Sequence, residues 1–375
     1  MRGKTVKILI AGAGLAGLSL ARALLTRGIR ADVVERRPDW TSSGFGLFLP
    51  GNASRAFAEL GLFSAISQSA VPIRRQDFYD HRGRHLSTVD SERFWEGCGP
   101  CLGMPRAVMH KILLDSVAPV PIRTGRAIAD VRQVAGGCLV TFDDWSCETY
   151  DLVVGADGLN STVRRLAIDP APPTYTGNGC WRFFADNHAG IDAWTVMVAK
   201  GRTLLAEPVD RSTLYVYAEL AQAAGDPRER ASRAELQAIF ADFTAPLGPL
   251  LRQLQPDTPV HFSRIEAVQP PVCFRGRVVL IGDAAHATSP SMAEGAGMAC
   301  EDAVLLADAI TAGDDLDTAL GRYAARRQPR VDWVRGQSET RDRIRRLPAA
   351  ISTRLLRFAG TRMYRRSYTP LLAKA

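Results

Sequence analysis

Six residues near the start of the chain constrain its fold more than any others: Gly12-Ala13-Gly14-Leu15-Ala16-Gly17. The run 5–11 before them is apolar at Val6, Ile8, Leu9 and Ile10, as suits a buried strand. A stretch rich in Leu and Ala then continues with helical character to about Arg27, and Gly28 ends it. Residues 31–34 read as a second strand capped by Glu35, 18 residues past Gly17, with Arg36 beside it. Strand, Gly-x-Gly-x-x-Gly turn, helix and strand-end acid together make a dinucleotide-binding βαβ unit. Gly12 permits the tight turn, Gly14 lets the backbone approach a pyrophosphate, and Gly17 lets the helix pack on the strand. Glu35 can accept hydrogen bonds from ribose hydroxyls. The unit does not by itself choose between one dinucleotide and another.

A related arrangement returns late in the chain. Val278-Val279-Leu280-Ile281 is apolar without polar alternation, Gly282 breaks the run, and Asp283 stands at the strand's carboxyl end. That is where open α/β sheets hold ligands. A polar loop with Pro290 follows, then helical periodicity over 294–312 at Met298, Val304, Leu305 and Ala309. The loop delivers a helix N-terminus, with unpaired N–H groups and partial positive charge, beside an acid. Gly-Asp alone would equally suit an ordinary strand–loop–helix connection.

The wider pattern is more specific. Gly282-Asp283-Ala284-Ala285-His286-Ala287, Pro290, the small-residue run Gly295-Ala296-Gly297, and Glu301-Asp302 resemble the second flavin-binding signature of the single-component aromatic hydroxylases. These are FAD-dependent monooxygenases typified by p-hydroxybenzoate hydroxylase. Two more signatures lie upstream in the family's order. One is the glycine fingerprint. The other is Asp157-Gly158-Leu159-Asn160-Ser161-Thr162-Val163-Arg164, similar to the family's Asp-Gly-x-x-Ser-x-Val-Arg. The resemblance implies that Asp157 and Arg164 serve the transient NADH or NADPH, Asp157 also serving FAD. A purely structural turn, with Ser161 capping the next helix, is the other reading. Arg106, ahead of a helix over 107–116, matches an arginine that touches the FAD phosphate and ribityl region, where a guanidinium can pair in bidentate fashion. The loop 42–52, with Gly44 and Gly46, resembles one that returns towards the flavin, although both could be simple turn glycines. The FAD contacts so implied are Gly12, Gly14, Leu15, Ala16, Gly17, Glu35, Arg36, Arg106, Asp157, Asp283, Pro290, Gly295, Ala296 and Gly297.

One departure from the family stands out. Many members have Gly-Gln where this chain has Ala293-Glu294. A carboxylate there favours the helix dipole but opposes an anionic reduced flavin. Glu294 is therefore expected to point away, as a helix-terminal residue or an arginine's partner. If it faces the pocket it becomes a candidate catalytic residue.

Composition narrows the class. In 375 residues, 46% are hydrophobic and 23% charged, as in ordinary globular proteins of two domains. No apolar run approaches the ~20 residues that span a bilayer, and the N-terminus lacks a signal-peptide pattern, so a cytoplasmic location is expected. The net charge of +8 comes with no aromatic–basic interleaving, so it is read as attraction for anionic nucleotides or as solvated surface, not as nucleic-acid binding. Seven scattered cysteines argue against a disulfide framework. Cys98-Gly99-Pro100-Cys101 copies a dithiol motif, but Leu102-Gly103-Met104-Pro105 will not start the helix such thiols need. No metal site is expected, because no second Cys or His pair lies at ligand spacing.

The expected fold is α/β, a Rossmann-like FAD-binding domain (1–72, 102–170 and 270–320) with an inserted antiparallel β-sheet substrate domain (73–101 and 171–269) and C-terminal helices (321–375). Alternating segments at 180–184, 194–199, 203–208 and 213–218 supply the sheet, with Trp181, Arg182, Phe184 and Met197 as candidate pocket residues, although ordinary sheet packing is the favoured reading of each. The last helix is amphipathic and basic, and is expected to dock rather than anchor. By resemblance, NAD(P)H reduces FAD, oxygen adds to it, and the resulting hydroperoxide gives one oxygen atom to an aromatic or polycyclic substrate, in a monomer or homodimer. Epoxidation, Baeyer–Villiger insertion or ring opening on the same fold is an alternative, as is a non-catalytic FAD or ligand binder.

Overall fold

The computed structural model describes residues 6–39, 44–222, 232–269 and 273–375. Thr5 of the expected first strand and residues 42–43 of the expected loop lie outside them. A six-stranded sheet runs in the order Phe274–Arg275, Val278–Leu280, Leu152–Gly155, Ile8–Ala11, Asp32–Glu35, Ile122–Thr124. All neighbours pair in parallel except Phe274–Arg275 with Val278–Leu280. The continuous apolar run Ile8–Ala11 is explained by cover on both faces. Ile8 and Ile10 join the core under the fingerprint helix Leu15–Thr26 and the helix Gly295–Thr311. Leu9 and Ala11 point the other way, towards an antiparallel meander of Ile128–Val134, Gly137–Phe142 and Cys147–Tyr150.

A seven-stranded sheet forms the second layer, ordered His261–Ala267, Thr174–Asp186, Thr213–Ala221, Arg202–Pro208, Trp194–Ala199, Arg75–Asp80, His85–Asp90. It is antiparallel except where Trp194–Ala199 lies parallel to Arg75–Asp80. Period-2 alternation sorts its side chains. Trp181, Phe183, Leu204, Ala206, Leu214, Val216 and Ala218 face a core closed by Leu236, Phe240, Phe243 and Leu247. Arg182, Phe184, Glu207, Tyr215, Tyr217 and Glu219 fall on the opposite face, which turns towards the strand Gly46–Leu49 of a separate three-stranded sheet with Leu102–Pro105 and Val71–Pro72. Contacts there confirm the direction: the Phe184 ring lies 5.5 Å from Phe45, and a Cβ on Gly46 would run into the Tyr215 ring.

Two long helices finish the chain. Leu316–Arg346 is capped by Asp315, whose side chain accepts from the Asp317 and Thr318 amides. Ala349–Leu372 docks through Tyr364, Tyr368 and Leu371. It lies close against the strand His85–Asp90 because Gly360 has no side chain to meet Ser87. Among the described residues no helix is long and apolar enough to cross a membrane.

Candidate active site

Gly12 has φ +105°, and a Cβ on it would stand 2.5 Å from the Ala156 carbonyl oxygen. Gly17 is closed off as well, since its Cβ would strike the Gly12 carbonyl. Gly14 differs: a Cβ there would meet nothing within 4 Å. It faces a cavity of about 560 Å³, lined also by Leu15, Ala16, Glu35, Arg36, Arg106, Asp157, Asp283, Gly295 and Ala296. Glu35 is fixed at its edge, one oxygen accepting from the Ala13 amide at 3.0 Å and the other from the Arg37 amide at 3.0 Å. Arg106 opens the helix Arg106–Ser116, its amide donating to the Phe45 carbonyl at 2.8 Å. Its side chain passes where a Cβ on Gly44 would be, which accounts for that glycine.

Three basic residues of this cavity were not foreseen, Arg37 next to the expected Arg36 and two more distant ones. His110 follows Arg106 by one helical turn, with a ring nitrogen 2.9 Å from the Ala13 carbonyl. Its i,i+4 spacing from Arg106 was the available signal. Arg126, held by Asp144 and Ser146, arrives through hairpin pairing that no local pattern marks. Three expected residues sit elsewhere: Gly17 in helix packing, Gly297 against Asn52 and Ala53, and Pro290 in a neighbouring cavity.

The middle motif is built as a cap. The Asp157 carboxylate accepts from the Ser161 hydroxyl at 2.5 Å and the Thr162 and Val163 amides at 2.7 and 3.2 Å, while Ser161 accepts from the Arg164 amide at 2.9 Å. Asp157 still borders the cavity. Arg164 corrects an expectation, because it is buried and turned inward. Its guanidinium donates to the carbonyls of Ala284 at 2.9 Å and Leu159 at 2.7 Å, stapling the middle turn to the late one. Burial lowers its pKa, and it offers no surface for a visiting nucleotide.

The late signature ends in a buried ion network. Asp302 accepts from the Gly282 amide at 2.7 Å, lies 2.7 Å from a His286 ring nitrogen, and pairs with Arg327. Burial pushes its pKa up, but Arg327 and His286 outweigh burial and hold it at about 2. Glu301 takes Arg327 at 2.8 Å and Arg330 at 2.7 Å. Glu294 stands at the N-cap position of the helix Gly295–Thr311 without a side-chain cap bond, and the rest of its expectation is corrected. It is 2% exposed and turned inward beside Asn52, while Arg327 and Arg330 pair with Glu301 and Asp302 instead of with it. Its Oε2 accepts from Asn52 at 2.9 Å, and among the described residues Oε1 has no donor. Burial raises its pKa to about 8.

A second cavity of about 350 Å³ meets the first at Asp283 and Gly295. Pro290, Met292 and Glu294 form one wall, Arg182 and Ser263 the sheet side, and Val331 and Val334 the long-helix side. Arg182 donates to Ser263 at 2.8 Å. Trp181 and Met197 are corrected as pocket candidates. Strand alternation turns both into the opposite core, Trp181 against Phe240 and Phe262, and the Met197 sulfur against the Leu247 amide. Phe184 shares the Arg182 face but packs on Phe45, outside either cavity's lining.

Comparison with known proteins gives consistent results. The family model described as FAD binding domain matches residues 5–336. The 2-heptyl-3-hydroxy-4(1H)-quinolone synthase of Pseudomonas aeruginosa is 31% identical over 339 residues, 88% of this chain and 87% of the relative. The FAD-dependent urate hydroxylase of Klebsiella pneumoniae is 31% identical over 335 residues, 87% of each chain. The crystal structure of Klebsiella pneumoniae HpxO complexed with FAD and uric acid superposes with a TM-score of 0.83 at 27% identity, covering 98% of this chain and 92% of that one.

Proposed function

Because this chain belongs to the FAD binding domain family, and with it to the flavin-dependent monooxygenases, we propose that it uses NADH or NADPH and O2 to place one oxygen atom on a fused aromatic or heteroaromatic small molecule. The observation that carries this reading is the meeting of two cavities at Asp283 and Gly295. The first has the glycine cradle and the flanking cations that a flavin dinucleotide requires. The open space at Gly14 suits the pyrophosphate, Arg106 its charge, and Glu35 the ribose hydroxyls. When bound, FAD supplies the electron transfer and oxygen activation that no side chain here provides. Gly295 and Ala296 open a 17-residue helix at the junction, where unpaired amides and the helix dipole favour an anionic ring.

The second cavity is the substrate compartment in this proposal. Met292, Met298, Val331 and Val334 supply apolar walls that exclude water, and Arg182 with Ser263 presents donors to one polar edge of the substrate. The two relatives are named for a quinolone and for urate, both fused nitrogen-containing bicycles, which sets the class to test first. The sequence holds one glycine fingerprint, so the nicotinamide reductant is proposed to visit transiently rather than occupy a domain of its own.

The test is a screen of phenolic, quinolone and purine-like compounds against the FAD-loaded protein. A true substrate accelerates NAD(P)H oxidation with matching oxygen uptake and yields a product heavier by one oxygen atom. Protein that stays colourless in the presence of FAD, or a product lacking that oxygen, would overturn the proposal.

A further inference from the structure

The C-terminal helix Ala349–Leu372 has two unlike faces. Its docked face holds Ser352, Tyr364, Ser367, Tyr368 and Leu371, all buried. The opposite face carries Ile351, Leu355 and Phe358 at i, i+4 and i+7 spacing. Phe358 is 79% exposed and Ile351 49%, which makes them two of the four exposed large hydrophobics among the described residues. Lone exposed apolar residues need no explanation, but two of them two turns apart on one helix face, with half-buried Leu355 between them, do. The charge pattern says what covers it. The helix contains Arg354, Arg357, Arg362, Arg365 and Arg366 and no Asp or Glu, so it carries five positive charges of a chain whose net charge is +8. All five arginines are exposed, and none has an ion-pair partner among the described residues. Arg354, Arg362, Arg365 and Arg366 flank the apolar stripe.

We propose that this face lies on an anionic lipid surface, with Ile351, Leu355 and Phe358 inserted at the headgroup boundary and the flanking arginines on lipid phosphates. A basic amphipathic helix with an aromatic residue on its apolar side is the pattern of in-plane interfacial binding, not of spanning. A second copy of the chain fits poorly, because a two-fold interface on this face would set arginine against arginine. A nucleic acid would engage the arginines and leave the aliphatic stripe in water. The helix is already folded against Ser87 and the core below it, so the membrane need not pay its ordering entropy.

The FAD-loaded full chain is mixed with phosphatidylcholine vesicles, with and without about one third phosphatidylglycerol, and bound protein is measured by flotation. Binding should be at least about tenfold tighter to the anionic vesicles and should weaken as salt is raised. Phe358→Ser with Ile351→Ser should weaken it about tenfold. Gln at Arg354, Arg362 and Arg365 should remove the preference for anionic vesicles. Circular dichroism and melting temperature of each variant report whether it is folded, and these exposed positions should leave both unchanged. Equal binding to both vesicle types, no binding to either, or binding that survives both variants overturns the proposal. Phe358-dependent dimerisation in sedimentation, or tighter binding to a single-stranded oligonucleotide than to vesicles, overturns it as well.

Discussion

Ala293 holds φ +51° and ψ 31°, a left-handed conformation that a Cβ disfavours by about 1–2 kcal/mol. Its position is the last before Glu294, which occupies the N-cap of the helix Gly295–Thr311. Ala293→Gly removes that strain and adds unfolded-state entropy worth about 0.4–1 kcal/mol, so stability in denaturant should stay level or rise by up to about 1 kcal/mol. A loss larger than that would mean the Ala293 methyl contributes packing that outweighs its strain. Glu294 makes a sharper prediction. Its folded pKa of about 8 exceeds its ordinary 4.5, so the folded protein holds a proton that the unfolded chain gives up. The resulting stability is present below about pH 4.5 and is lost as pH rises through 8. Relative to Glu294→Gln, the native protein should lose on the order of 4 kcal/mol between pH 5 and 9, measured by denaturation across that range. If the flavin ring reaches Gly295 as proposed, its midpoint potential should match that of Glu294→Gln at pH 6 and fall below it above pH 8. Identical potentials throughout would place the ring out of this carboxyl's reach.

At the scale of elements, the three glycines of the fingerprint do different jobs, and substitution separates them. Gly14→Val enters open cavity, so the apoprotein should fold with near-native stability while FAD affinity falls by a hundredfold or more, read by flavin fluorescence titration. Gly17→Ala strikes the Gly12 carbonyl, so it should destabilise the apoprotein itself by about 1–3 kcal/mol. Equal loss of stability in both variants would remove the distinction between cradle and packing. This motif was legible because its geometry leaves no residue but glycine at Gly12 and Gly17, and the strand and helix beside it have unambiguous periods. The seven-stranded sheet was legible as strands but not as faces. Trp181 and Arg182 are neighbours in sequence and point to opposite sides, and only the location of Leu236, Phe240 and Phe243 says which side is core. The meander strands Ile128–Val134 and Cys147–Tyr150 were missed because half their residues are exposed and carry no apolar run.

For the whole molecule, what sequence left open is how distant segments close on the site. The parallel pairing of Trp194–Ala199 with Arg75–Asp80 joins residues more than a hundred positions apart, and no local signal announces it. The same holds for the end of the long helix. Arg345 pairs with Glu219 on the seven-stranded sheet and donates to Ser291 at 2.7 Å in the turn that follows the late signature. Asp342 on the same helix accepts from Ser289 at 3.1 Å and Ser291 at 2.5 Å. One helix end therefore ties the sheet to the turn that carries Pro290. Glu219 is 1% exposed; burial raises its pKa, and Arg345 counters that rise. Arg345→Met should cost about 3–5 kcal/mol, because it leaves a buried carboxylate without its cation. Adding Glu219→Leu should recover part of that loss, since it removes one uncompensated buried charge, while Asp342, which Arg345 also meets at 3.3 Å, and the Tyr217 hydroxyl, which donates to Glu219 at 2.8 Å, stay without those partners. Denaturant unfolding of both single variants and the double variant gives the coupling energy directly. FAD affinity of the double variant should remain within a few fold of native, because the Gly12–Gly17 cradle and Glu35 belong to the other sheet. A double variant as unstable as the sum of its parts would make the pair a set of independent contacts rather than a single tie, and a large loss of FAD affinity would extend that tie into the cofactor cradle.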